Sequence, residues 1–97
     1  IAEGVETALA VRAMTKQPVW SVINATMLEN FVVPEGVKHL DIYGDNDETN
    51  SYHGQSAAYS LGRKLKAKDI SCKVHIPPVA DTDWLDYFLA SKEVVKQ

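Results

Sequence analysis

At 97 residues, 45% hydrophobic and with a net charge of −3, the chain has the size of one small domain and enough apolar content to fold. The acidic balance gives no broad electrostatic footprint for DNA, and a lone cysteine, Cys72, excludes an internal disulfide. No run approaches the roughly 18 apolar residues of a membrane-spanning helix and no signal peptide is visible, so the cytoplasm is the expected compartment and no membrane is an expected partner.

The chain opens on Ile1 with almost no room for a strand before Glu3. Residues 1–97 are therefore expected to be a single domain of a longer, multidomain protein, with part of the first strand missing. Residues 5–16 are rich in Ala and predict a helix with Val5, Leu9 and Val11 apolar. Residues 19–23 predict a short buried strand. Thr26 and Glu29 fit a capping box at the start of a short helix that ends before Pro34. Residues 37–43 predict a strand leading into Gly44. Residues 52–67 predict a helix with Ala57, Ala58, Leu61 and Leu65 on one face. Residues 71–76 predict a strand stopped by Pro77 and Pro78, and residues 83–93 a last helix with Leu85, Phe88 and Leu89 inward.

This alternation predicts βαβ units and an α/β fold with a mainly parallel sheet of about four strands. Right-handed crossovers put all strand carboxyl ends on one edge, where ligands bind in open α/β sheets. Glu3, the Asp45-Asn46-Asp47 run and the 81–86 segment each follow a predicted strand. They are expected to converge there as an all-oxygen cluster suited to Mg²⁺ or Mn²⁺. Clustered carboxylates repel when no cation is present, which predicts raised acidic pKa values or a mobile loop.

Each residue also has a plainer reading. Asp45 and Asp47 suit an Asx turn or a helix cap, and Glu3 a cap on helix 5–16. Asp83 suits the N-cap of the last helix with Asp86 assisting, or else an outer carboxylate of the metal site. Gly4 suits a tight turn or a close phosphate approach. Asn24 either binds a phosphate or ends its strand, and His53 either contacts phosphate or lies on the surface. Glu6 and Asp41 suit a first-turn helix acid and a polar strand position. Arg63, Lys64, Lys66 and Lys68 form a basic run that reads as a solvated face or a phosphate track. Trp84 reads as packing under the 81–86 turn.

With these residues in place, the chain resembles the Toprim domain of topoisomerases, primases and some nucleases. The resemblance rests on Glu3-Gly4 after a strand, Asp45-Asn46-Asp47 after a later strand, and the small residues Gly54, Ala57 and Ala58. It runs from Ile1 to about Leu89. The wording of residues 3–10, the Asp-Asn-Asp run and the ending Pro78…Asp81-Thr82-Asp83-Trp84-Leu85-Asp86 most resemble the primases and primase–helicases of phages and plasmids. Leu85, where a polar residue is common, and the inserted stretch 48–52 depart from that pattern.

The resemblance implies a small, three-layer, Rossmann-like fold with helices on both faces of the sheet. It implies Glu3, Asp45 and Asp47 as catalytic and metal-binding acids, with Asp83 as a further ligand. Gly4, Asn24, Asn46 and His53 are the implied substrate and phosphate contacts. The implied activity is synthesis of RNA primers by Mg²⁺- or Mn²⁺-dependent nucleotidyl transfer. The implied partners are nucleoside triphosphates and single-stranded DNA, with helicase and zinc-binding domains in cis or in trans. A Toprim nuclease or topoisomerase, and a non-catalytic scaffold for recombination partners, are the competing readings.

Overall fold

The computed structural model describes residues 1–96, with side chains through residue 91. In chain order the elements are α1 (Val5–Thr15), α2 (Ala25–Glu29), β1 (His39–Tyr43), a 3₁₀ turn (Glu48–Asn50), α3 (His53–Ala67), β2 (Ser71–His75) and α4 (Trp84–Lys96). Strands β1 and β2 pair in parallel, with Leu40 opposite Cys72 and Ile42 opposite Val74. The long α3 crossover between them is the connection a parallel pair requires.

Two of the four expected strands are not formed. Ala2 makes single parallel bridges to Ser21 on one side and to Tyr43 on the other. Its N–H donates to the Trp20 carbonyl (2.9 Å), and its carbonyl accepts from Val22 N–H (3.1 Å). The hydrogen bonds thus continue the sheet direction across residues 1–2 and 20–22, but as bridges only. Glu3 turns away directly after Ala2. The 19–23 stretch is half open to solvent, with Trp20 and Ile23 both exposed, so it lacks the burial that a longer ladder would reward.

Alternation along β1 sorts its side chains onto two faces. Leu40 and Ile42 join Ala57, Ala58, Leu61 and Leu65 of α3 and Leu28 of α2 in the buried core. The expected apolar face of α3 is thus the buried one. On the opposite face, Tyr43 packs edge-on against Trp84 of α4 at 5.5 Å, and α1 packs on α4. Helices therefore cover both faces of the small sheet.

Three local expectations change. The cap of α2 is Asn24, whose Oδ1 accepts from Met27 N–H at 2.9 Å. Thr26 already lies inside the helix, because Asn24, a more strongly preferred N-cap residue than Thr, takes the cap two residues earlier. In α1 the buried residues are Thr7, Ala8, Ala10 and Val11, whereas Val5 and Leu9 point outward. In α4, Leu89 is exposed while Leu85 and Phe88 are half-buried. Among the described residues no helix is long and apolar enough to cross a membrane.

Candidate metal centre

Close packing of α3 against the end of β1 builds the site. A Cβ at Gly44 would stand 2.8 Å from the Ala58 Cβ and 2.9 Å from Ile76 Cδ1. A Cβ at Gly54 would stand 2.6 Å from the Asp45 carbonyl oxygen and 2.7 Å from Asp47 Oδ2. Neither position has room for a side chain. The two glycines let the first turn of α3 press onto the Asp45–Asp47 loop, and the loop takes its shape from that contact.

Within the loop the three residues divide their tasks. Asp47 turns Oδ2 onto the Gly54 N–H at 2.8 Å, where it lies at the positive end of α3. No side chain of the preceding residue caps that helix, so Asp47 supplies the cap from the loop. Asn46 donates from Nδ2 to the Pro77 carbonyl (2.8 Å) and accepts on Oδ1 from Gln55 Nε2 (2.8 Å). Its amide is thereby engaged at both ends, tying the loop to the segment after β2. Asp45 points the other way, into a cavity of about 340 Å³ that Glu3, Gly4, Ile23 and Asp83 also line.

Glu3 and Asp45 meet in this cavity, close enough for each to act on the ionisation of the other. Burial, followed by repulsion from Glu3, Asp83 and Asp47, pushes Asp45 up to about 7. Burial also raises Glu3 and Asp47 adds to it, against the Asp45 hydrogen bond, the Ala25 N–H and the His53 charge, which favour its ionised form.

Asp83 reaches the cavity from the start of α4. Its Oδ1 accepts from Asp86 N–H (2.8 Å), and Asp86 Oδ2 accepts from Asp83 N–H (2.9 Å). This reciprocal cap holds Asp83 in place while its charge still acts on Asp45. Trp84 anchors the same turn by donating from Nε1 to the His75 carbonyl at 3.2 Å.

The remaining candidates are spread around this centre. Gly4 lines the cavity as N-cap of α1 with φ −98°, an ordinary extended backbone, so no positive φ requires glycine there. Asn24 is used as the α2 cap. His53 begins α3, exposed, close enough for its charge to favour ionised Glu3. Asp41 lies on the far face of β1, accepting from His75 Nε2 (3.0 Å) and lying 3.3 Å from His39 Nε2.

Gln55 and Ile23 join the site without having been candidates, and Asp81, expected in the third acidic group, takes a bracing role. Gln55 holds the loop by accepting from Asp47 N–H (2.9 Å) while donating to Asn46. Asp81 Oδ1 accepts from both Thr49 N–H (3.0 Å) and Thr49 Oγ1 (2.8 Å), latching the inserted 48–52 stretch to the segment after β2. Ile23, at φ +78°, is spanned by a hydrogen bond from Asn24 N–H to the Val22 carbonyl (2.9 Å). That is a γ-turn of the rare positive-φ kind, at a β-branched residue on the cavity wall. A branched residue in a buried-strand pattern gives no sequence signal of it.

Among the described residues no three carboxylates, imidazoles or thiols stand together at ligating distances. A divalent ion fits the centre nonetheless. Glu3 Oε2 and Asp45 Oδ1 are buried with no hydrogen-bond partner, and buried carboxylate oxygens left unpaired are costly. An all-oxygen pair suits a hard cation, and Mg²⁺ takes only one or two carboxylates while keeping several waters.

No curated protein and no solved structure gives a significant match to the chain. A family model described as the Toprim domain matches residues 1–93. Toprim domains bind divalent metal ions such as Mg²⁺ and serve as modules of nucleic-acid-processing proteins. With its acidic residues gathered at the end of a parallel strand pair and the family model matched over nearly its full length, the chain belongs to the Toprim domain family.

Proposed function

We propose that this domain is the metal-dependent catalytic module of a DNA primase, joining ribonucleotides on a single-stranded DNA template. The observation that carries the reading is the Glu3–Asp45 pair, which has unpartnered buried oxygens and shares one cavity with Asp83. Glu3 and Asp45 would hold Mg²⁺ or Mn²⁺ directly, with Asp47 and Asp83 adding negative charge beside them. Bound there, the cation would neutralise charge that grows on the transferred phosphoryl group and align its oxygens. Glu3, beside Asp45 in the same cavity, would accept a proton from an attacking hydroxyl. Gly4 and the start of α1 line the same cavity and would meet a phosphate there.

The primase branch, rather than another Toprim activity, is favoured by the Asp45-Asn46-Asp47 run and the closing Asp83-Trp84-Leu85-Asp86. In the fold, Asn46 and Trp84 brace the loop and the α4 turn that bring Asp45 and Asp83 face to face. Template-handling, zinc-binding and helicase parts would lie in the parent chain or in partner proteins of the cytoplasm.

The test is an amide NMR titration with Mg²⁺ followed by trace Mn²⁺, and then a primer-synthesis assay on the full-length parent. Shifts and broadening centred on Glu3–Gly4 and Asp45–Asp47, lost in Asp45→Asn, are expected. No local response at millimolar metal would overturn metal binding by the isolated domain. Strand scission without primer synthesis by the parent would replace the primase reading with a nuclease one.

A further inference from the structure

Strand β2 is the open edge of the sheet, and the surface beside it has a different character from the acidic centre. Ser71 N–H donates to the Lys38 carbonyl, and the His75 carbonyl accepts from Gly44 N–H. Residues 71 and 75 thus turn their backbone toward β1, and by alternation Cys72 and Val74 turn theirs to the open edge. A cavity of about 480 Å³ lies there, lined by Tyr59, Gly62, Arg63 and Lys66 of α3 and by Cys72, Lys73 and Val74 of β2.

Three cations and one aromatic ring border this cavity, and no acidic residue does. Arg63, Lys66 and Lys73 are all exposed, and none of them is in an ion pair among the described residues. Tyr59 is 59% exposed. Tyr59, Arg63 and Lys66 follow one another at i, i+4 and i+7, a single stripe along α3. Lys73 joins the stripe only through the fold, because β2 lies beside α3. Gly62 allows this closeness: a Cβ there would stand 3.2 Å from Val74 Cγ2. In a chain of net charge −3, this is positive charge gathered at one place and left unneutralised.

We infer that the α3–β2 edge is a docking surface for single-stranded nucleic acid, with Arg63, Lys66 and Lys73 on phosphates and Tyr59 stacked on a base. A cationic groove that tracks the backbone, combined with an exposed aromatic platform, is how proteins hold single strands without reading sequence. The stripe lies on the same helix whose first turn abuts Asp45 and Asp47, so a strand laid along it is directed toward the carboxylate centre. The choice of polymer rests on the function proposed above; the surface itself does not depend on metal.

The experiment is fluorescence anisotropy of a labelled oligothymidylate with the 97-residue chain, run in EDTA across a salt series. Three phosphate contacts on a single strand predict a slope of about −2 in log K against log salt. Replacing all three cations (Arg63→Gln, Lys66→Gln, Lys73→Gln) is expected to abolish most of that slope and weaken low-salt binding about tenfold or more. Tyr59→Ala is expected to weaken binding about tenfold with the slope unchanged. Circular dichroism of each variant confirms that the fold is retained. Equal binding by the triple variant and the parent chain would overturn the inference. So would competition by polyglutamate as effective, charge for charge, as that by oligothymidylate. Because EDTA removes the metal, failure of metal binding or of primer synthesis leaves these results untouched, and the two proposals fail separately.

Discussion

Gly54 and Asp45 are in backbone contact: a Cβ at residue 54 would lie 2.6 Å from the Asp45 carbonyl oxygen and 3.0 Å from the Asp45 Cβ. The same missing side chain lets the Gly54 N–H reach Asp47 Oδ2. Gly54→Ala must therefore push the loop from α3 or break that cap. Overpacking of this kind costs about 1–3 kcal/mol. The expected outcome is a lower urea midpoint together with weaker Mg²⁺ binding, read by denaturation and NMR titration on the same variant.

Asp45 gives the domain an unusual pH dependence. Its pKa in the fold, about 7, lies above its ordinary 3.8, so the fold favours the protonated form. The associated stability is complete below the ordinary value and is lost as pH rises from about 4 to 7. In EDTA, denaturant unfolding is expected to show stability falling across that window. Asp45→Asn should flatten the fall. Mg²⁺ competes with the proton on Asp45, so its stabilising effect should grow as pH rises through the same range.

Asp83 holds two roles that substitutions can separate. Asp83→Asn keeps a side-chain oxygen for the Asp86 N–H and removes the charge facing Asp45. Stability is expected to hold within about 0.5 kcal/mol, while the Asp45 pKa drops toward its ordinary range in a ¹³C NMR titration. Asp83→Ala also removes the cap and should cost about 1 kcal/mol. If both variants leave the Asp45 titration unmoved, Asp83 does not act on the centre.

Ile23 sits at φ +78° and is 70% exposed. Strain at such a position is of order 1–3 kcal/mol, and glycine removes it at an entropy cost of about 0.5–1 kcal/mol. Because little apolar surface is lost, Ile23→Gly is expected to stabilise the domain by roughly 1 kcal/mol in thermal unfolding. A destabilised variant would show that the Ile23 side chain is held by packing rather than against strain.

Element types were largely legible in the chain itself. The spacing of Ala57, Ala58, Leu61 and Leu65 matches one buried face of α3, and the 37–43 and 71–76 runs contain β1 and β2. The acidic motifs were legible too, because a glycine beside a carboxylate after an apolar run marks a strand end. Burial of single side chains was less legible. Val5 and Leu9 look like a core face, yet the pairing of α1 with α4 leaves them exposed, and no local pattern carries that information.

Sequence by itself carried the motifs behind the resemblance to the Toprim family, to which the family model assigns residues 1–93, and the parallel α/β order, which follows from local periodicity. Tertiary structure alone decided how the acids are shared out. It set Asp47 on the Gly54 N–H, left Asp45 to pair with Glu3, and brought Asp83 across from α4. It also placed Lys73 beside Tyr59, Arg63 and Lys66. Those relationships depend on how closely helices approach strands, which is set by packing between segments distant in the chain.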